Sequence, residues 1–242
     1  MSQKPDSHSG PSRMIPCQIQ EGINGMLRSK RCRKLLIEIA RRKQRAGTGS
    51  SLIFLRERTT QMVWPDLTVI ISPIRWAVVG AVATRLYMPE RMTQDLDIVI
   101  QATDGPQARQ KLLEGGFIYQ DELSIGGSSW RMPDGKGVDI LEGSEDWWTD
   151  AIADAQTNRD TQGLPIIPLS YLVLMKFQAG RVQDVADVTR MLGQAEAATL
   201  DTVRELFTQY APEDVADLES LIELGRLELQ SSGDAPKPSE SG

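Results

Sequence analysis

Apolar and polar positions alternate most clearly at residues 95–100. There Leu96, Ile98 and Ile100 interleave with Asp95, Asp97 and Val99, the two-residue period of a strand. Upstream, Ile74-Arg75-Trp76-Ala77-Val78-Val79 predicts a second strand ended at Gly80. A helix carrying Val82, Ala83, Leu86 and Tyr87 begins there, and Pro89 closes it. Residues 106–114 predict a helix stopped by Gly115-Gly116, and 117–119 a short strand. Residues 128–132 and 137–141 flank Pro133-Asp134-Gly135-Lys136, a hairpin signal because Asp-Gly supplies a positive-φ turn. Strand, helix, strand, helix and hairpin in that order describe a sheet of mixed direction.

After residue 150 the pattern turns helical. Pro165 and Pro168 bracket a short extended pair, Ile166-Ile167. Residues 169–179, 182–192, 200–209 and 213–230 then carry apolar positions at helical spacing, with Gly180 and Gly193 placed as helix ends. Ahead of the sheet, a basic helix is expected at about 26–45, ended by Ala46-Gly47-Thr48-Gly49-Ser50. Another is expected at 51–62, stopped by Trp64-Pro65-Asp66. The expected organisation is a disordered leader (1–25), a basic helical arm (26–50), a sheet-containing domain (51–150), a helical domain (151–230) and a disordered tail (231–242).

Composition narrows the chemistry. The 242 residues hold 40% hydrophobic and 25% charged positions, an ordinary globular balance with enough chain for a substantial core. One His and two Cys exclude a His-rich metal cage and a four-cysteine zinc site, and Cys17 and Cys32 have no His nearby to activate a thiol. No apolar run approaches the ~20 residues of a membrane span, and the polar, proline-broken start carries no secretory signal. A cytoplasmic protein without a membrane partner is therefore expected. The net charge of −6 hides an asymmetry: residues 1–50 carry 11 basic and 3 acidic side chains, whereas 51–242 carry 16 and 30. A basic arm of this density suits contact with a polyanion by counterion release, or forms a solvated amphipathic helix.

The sharpest candidate chemistry is Asp95-Leu96-Asp97. Residues i and i+2 of a strand share a face, so both carboxylates project together while Leu96 and Ile98 point into the core. Paired carboxylates of this kind suit Mg²⁺, a hard ion that takes one or two carboxylates plus substrate phosphates, although strand-edge charges also serve to block aggregation. Asp139, in Gly137-Val138-Asp139-Ile140-Leu141, is a third carboxylate in an apolar strand. If the two strands are neighbours, the three acids can converge on two ions about 3.5–4 Å apart. Gly80-Ala81, where a strand ends and a helix opens, offers backbone N–H groups to a phosphate.

These residues resemble the nucleotidyltransferase superfamily with the DNA-polymerase-beta-like palm fold. The signature reads Val79-Gly80-Ala81, thirteen residues, then Asp95-Leu96-Asp97-Ile98. Arg91-Met92-Thr93-Gln94-Asp95-Leu96-Asp97 and the later Lys176, Ala179, Arg181, Asp184 and Asp187 are similar to the AbiEii-like abortive-infection toxins and minimal nucleotidyltransferases. The resemblance covers about residues 70–195. Family enzymes often carry Ser where this chain has Ala81.

The resemblance implies an α+β fold, a mixed palm sheet with flanking helices followed by a C-terminal helical bundle. It implies a Mg²⁺-dependent enzyme, with two ions (Mn²⁺ as a substitute) on Asp95, Asp97 and Asp139, moving a nucleoside monophosphate from a nucleoside triphosphate such as ATP to an acceptor hydroxyl. Gly80, Ala81, Thr93 and Lys176 would contact nucleotide; Arg91, Arg181, Asp184 and Asp187 would support them, although Arg91 and Thr93 also read as braces of the loop before Asp95, and Asp184 and Asp187 as structural or solvated charges on one helix face. Lys176 reads equally as a snorkelling side chain beside Leu172 and Met175. An RNA acceptor reached through the arm and a cognate antitoxin are the expected partners of a toxin. The alternative is a catalytically silent nucleotide- or protein-binding module of the same fold.

Overall fold

The computed structural model describes residues 30–31, 33–42, 63–88 and 93–233. Residues 30–31 and 33–42 are helical (α1). The leader, the expected helix at 51–62, Arg91 and the segment 234–242 lie outside the described residues. The next elements are α2 (Thr68–Ile71), β1 (Ala77–Val78), α3 (Gly80–Ala83), β2 (Asp95–Gln101), α4 (Gly105–Glu114), β3 (Ile118–Glu122), β4 (Gly127–Arg131) and β5 (Gly137–Gly143). Helices follow: α5 (Trp148–Ala155), α6 (Leu169–Ala179), α7 (Val182–Gln194), α8 (Ala197–Tyr210) and α9 (Val215–Gly233).

The five strands form one mixed sheet in the order β1-β2-β5-β4-β3. Among the described strands β2 and β5 pair in parallel, and the other neighbouring pairs are antiparallel. The α+β fold class read from the sequence is therefore the observed one. The Asp-Gly hairpin joins β4 to β5: Met132 N–H donates to the Lys136 carbonyl at 2.8 Å, and Gly135 sits at φ 91°. The strand expected at 74–79 is shorter, because only Ala77 and Val78 pair with β2. Its other side is taken by the proline-bracketed pair: Val78 bridges Ile166 in parallel, with Val78 N–H donating to the Pro165 carbonyl at 2.7 Å.

A single core runs from Ile37 of α1 through Ile98, Val99 and Ile140 of the sheet to Leu218 and Leu221 of α9. The basic arm is anchored to it. Arg33 is 1% exposed; its guanidinium donates to the Phe177 carbonyl at 2.8 Å and to Asp214 at 2.9 Å, and lies 3.8 Å from the Phe177 ring centroid. Lys30 pairs with Glu213. Arg31, Lys34, Arg41 and Arg42 remain exposed.

Two readings are corrected. Gly193 lies within α7, not beyond its end, since Ala195 is the capping residue. It is small because α9 crosses there: a Cβ on Gly193 would sit 2.4 Å from the Gly225 carbonyl oxygen. Helix α5 was missed. Its adjacent Trp147 and Trp148 are buried, stacked at 4.7 Å, and Trp147 also stacks on Tyr171 at 5.9 Å. Both rings belong to the core. No described helix is long and apolar enough to cross a membrane.

Candidate active site

Register assembles the acidic face. In the parallel ladder Asp97 stands opposite Asp139 and Asp95 opposite Gly137. Neighbouring strands lie about 4.8 Å apart, so the first two carboxylates leave adjacent strands side by side. Leu96, Ile98, Val138 and Ile140 are at most 1% exposed on the opposite face, the alternation that drives the acids to this one. Asp95 is exposed at the start of β2, and Asp97 and Asp139 are half-buried.

Two glycines admit these carboxylates. Gly80 has φ 64°, and a Cβ there would fall 1.8 Å from Asp97 Oδ2. The Val79 N–H donates to the Asp97 carbonyl at 2.9 Å, fixing the turn against the strand. Gly80 thus brings the Gly80-Ala81 backbone against the Asp97 carboxylate. Gly137, which sequence reasoning missed, does the same for Asp95: a Cβ would lie 2.1 Å from its Oδ1. The available signal was its position two residues before Asp139, on the same strand face.

The electrostatics are those of an anionic cluster. Burial pushes the Asp97 carboxyl up to about 6, with the charges of Asp139 and then Asp95 adding to it and those of Lys176 and Arg181 opposing it. Among the described residues none of the three acids forms an ion pair. Three hard carboxylates without a cationic partner there fit a Mg²⁺-like ion by donor chemistry. Among the described residues no three His, Cys, Asp or Glu side chains converge as a metal-holding group, so a cation on the Asp97–Asp139 pair would need its other oxygen ligands from substrate or solvent.

The remaining predicted residues divide in two. Lys176 is sealed: 6% exposed, it donates to Asp184 at 3.1 Å and to Asp187 at 2.9 Å, and both acids are buried. Arg181 follows Gly180, whose left-handed φ of 63° ends α6. Its side chain is 77% exposed while its Nε donates to Asp184 Oδ2 at 2.6 Å. That bond, followed by the charges of Asp184 and Asp97, raises the Arg181 affinity for its proton, against an opposing contribution from burial. Asp184 therefore accepts from both cations, and Asp187 from Lys176. Thr93 Oγ1 donates to the Asp95 carbonyl at 3.2 Å, bracing the loop into β2. Ala81 is 9% exposed and presents no hydroxyl.

No known family model matches the chain. No curated protein matches it either. Among solved structures it is similar to the crystal structure of ANT(2″)-Ia in complex with adenylyl-2″-tobramycin, with 15% identity and a TM-score of 0.36 over 62% of this chain and 87% of that one. It is also similar to the solution structure of the antibiotic-resistance factor ANT(2″)-Ia, with 16% identity and a TM-score of 0.35 over 65% and 86% of the two chains.

Proposed function

We propose that this chain is a nucleotidyltransferase that moves a nucleoside monophosphate from a nucleoside triphosphate to an acceptor hydroxyl. The observation that carries this reading is the in-register Asp97–Asp139 pair with the Gly80 backbone against Asp97. Asp95, Asp97 and Asp139 would hold Mg²⁺ or Mn²⁺. Such ions, when bound, neutralise phosphate charge and polarise the reacting oxygens. The Gly80-Ala81 backbone receives triphosphate oxygens, and the exposed Arg181 guanidinium offers its unpaired edge to them.

In the transfer the acceptor hydroxyl oxygen attacks the α-phosphorus. The bond from that phosphorus to the bridging oxygen of the β-phosphate breaks, and pyrophosphate leaves. The hydroxyl proton passes to the Asp139 carboxylate. Positioning and charge neutralisation supply most of the rate in such a reaction. Lys176, enclosed by Asp184 and Asp187, acts from behind by holding the α6–α7 elbow and by adding positive potential at Asp97.

The finer assignment follows the sequence resemblance: an AbiEii-like toxin, restrained by an antitoxin, with RNA as acceptor. Arg31, Lys34 and Arg41 are the arm's exposed cations for that RNA; Arg42 pairs with Glu38, and Arg33 and Lys30 are committed to Asp214 and Glu213. A catalytically silent binding module is the second reading, favoured by the absent hydroxyl at Ala81. The deciding experiment incubates the protein with Mg²⁺, labelled nucleoside triphosphates and total RNA. Label on RNA that disappears in Asp97→Ala and Asp139→Ala supports the transferase; nucleotide binding without transfer to any acceptor supports the module.

A further inference from the structure

Strand β4 continues the acidic face outward. Ser129 is the register partner of Asp139, and Arg131 that of Gly137. Ser128 and Trp130 point to the opposite face, where Trp130 Nε1 donates to Ser128 Oγ at 2.8 Å; Ser129 and Arg131 therefore share the face of the carboxylates. Two rows cross the sheet. One runs Asp97, Asp139, Ser129 and then Asp121 of β3; the other runs Asp95, Gly137, Arg131 and then Ile118 of β3. Because Gly137 lacks a side chain, the Asp95 carboxylate reaches over it toward the Arg131 strand. Arg131 is exposed, hydrogen-bonds the neutral Gln120 at 3.2 Å and forms no ion pair with a described residue.

The two sides of the carboxylates differ. Gly80 lies against Asp97, whose carboxyl also feels the charges of Lys176 and Arg181, whereas Ser129 and Arg131 lie beyond Asp139 on β4. In-line displacement brings the entering hydroxyl from the side opposite the departing pyrophosphate. If the triphosphate occupies the first side, the acceptor occupies the second.

We propose that β4 is the acceptor side of the site, with Arg131 binding a phosphate of the acceptor and Ser129 hydrogen-bonding its sugar beside Asp139. This rests on the transferase reading above. Arg131 lies one strand spacing from β5, about 4.8 Å, and its guanidinium matches a phosphate by paired N–H donation. The acceptor is accordingly a phosphate-bearing alcohol, and a neutral sugar is a poor one.

The test compares label transfer from a nucleoside triphosphate with Mg²⁺ to three acceptors: a short oligoribonucleotide, ribose 5-phosphate and a neutral nucleoside. The expected result is transfer to a phosphate-bearing acceptor at least tenfold more efficient than to the nucleoside. Arg131→Ala raises the acceptor KM tenfold or more, leaves the nucleotide KM within twofold, and is partly rescued by Arg131→Lys. Preference for the oligoribonucleotide identifies a strand as the phosphate source; preference for ribose 5-phosphate identifies a small sugar phosphate. Equal use of the neutral nucleoside, or an Arg131→Ala defect confined to the nucleotide KM, overturns the inference while the transferase reading stands. Absence of transfer to every acceptor overturns both.

Discussion

Asp97 on β2 and Asp139 on β5 are register partners in a parallel ladder of the sheet, so two carboxylates share one face on adjacent strands. Their mutual repulsion, added to burial, is why the Asp97 carboxyl titrates near 6 instead of its usual 3.8. A pKa raised by folding means that the folded chain holds a proton the unfolded chain has lost. This group therefore favours folding fully below about 4 and ceases to do so as pH rises through about 6. Asp97→Asn should gain stability relative to the parent over that window, by about 3 kcal/mol at most. Thermal melts at pH 4, 6 and 8 without divalent cations check this; a constant difference across the three would refute it.

A cation that binds the ionised pair has the opposite pH dependence. Mg²⁺ should raise the melting temperature at pH 8, do so weakly at pH 5, and have little effect on Asp97→Asn at either. Titration of the melting temperature with MgCl₂ measures it.

The glycines make distinct predictions. Gly80→Ala places a side chain at φ 64° and against Asp97 Oδ2, so it should lower stability by about 1–3 kcal/mol and abolish transfer. Gly137→Ala meets only the exposed Asp95, which can turn into solvent. Its melting temperature should stay near the parent's while the Mg²⁺-induced shift shrinks.

Loss of a buried cation should destabilise the acids around it. Lys176→Met removes the buried ammonium that Asp184 and Asp187 share and should cost about 3–5 kcal/mol in chemical denaturation. Adding Asp187→Asn should recover part of that loss. Arg33→Met should be comparably destabilising because it strips Asp214, and Arg33→Lys should not rescue it, since a single ammonium cannot reproduce both guanidinium bonds. Alanine at the exposed Arg31 and Lys34 should leave stability within about 0.5 kcal/mol.

What was legible in the sequence was local. The alternation around Asp95 and Asp97, the Asp-Gly turn and the helical spacing after 169 each carry their structural cause within a few residues. What was not legible depends on partners far along the chain. The Asp97–Asp139 register is set by β2 lying beside β5, across an intervening helix and two strands. Gly193 looked like a stop because its true reason, the backbone of Gly225, is 32 residues away. Helix α5 begins without a proline or a side-chain hydrogen bond to its first turn, and its tryptophans are held by Gly143 and Tyr171. Lys176 could not be placed between substrate contact and packing until the burial of Asp184 and Asp187 was known.

The clasp of β1 by Ile166 bears on how the molecule moves. Val78 is hydrogen-bonded on one flank to the Pro165–Ile167 segment and paired on the other with Ile98. The polypeptide that leaves the sheet and forms α5 is thus woven back into it just before α6, which ties the sheet to the helices that follow. A clamshell motion of one half over the other would tear those hydrogen bonds. On the proposed function, a substrate would meet a preassembled frame, with adjustment left to the solvent-facing Asp95 and Arg181.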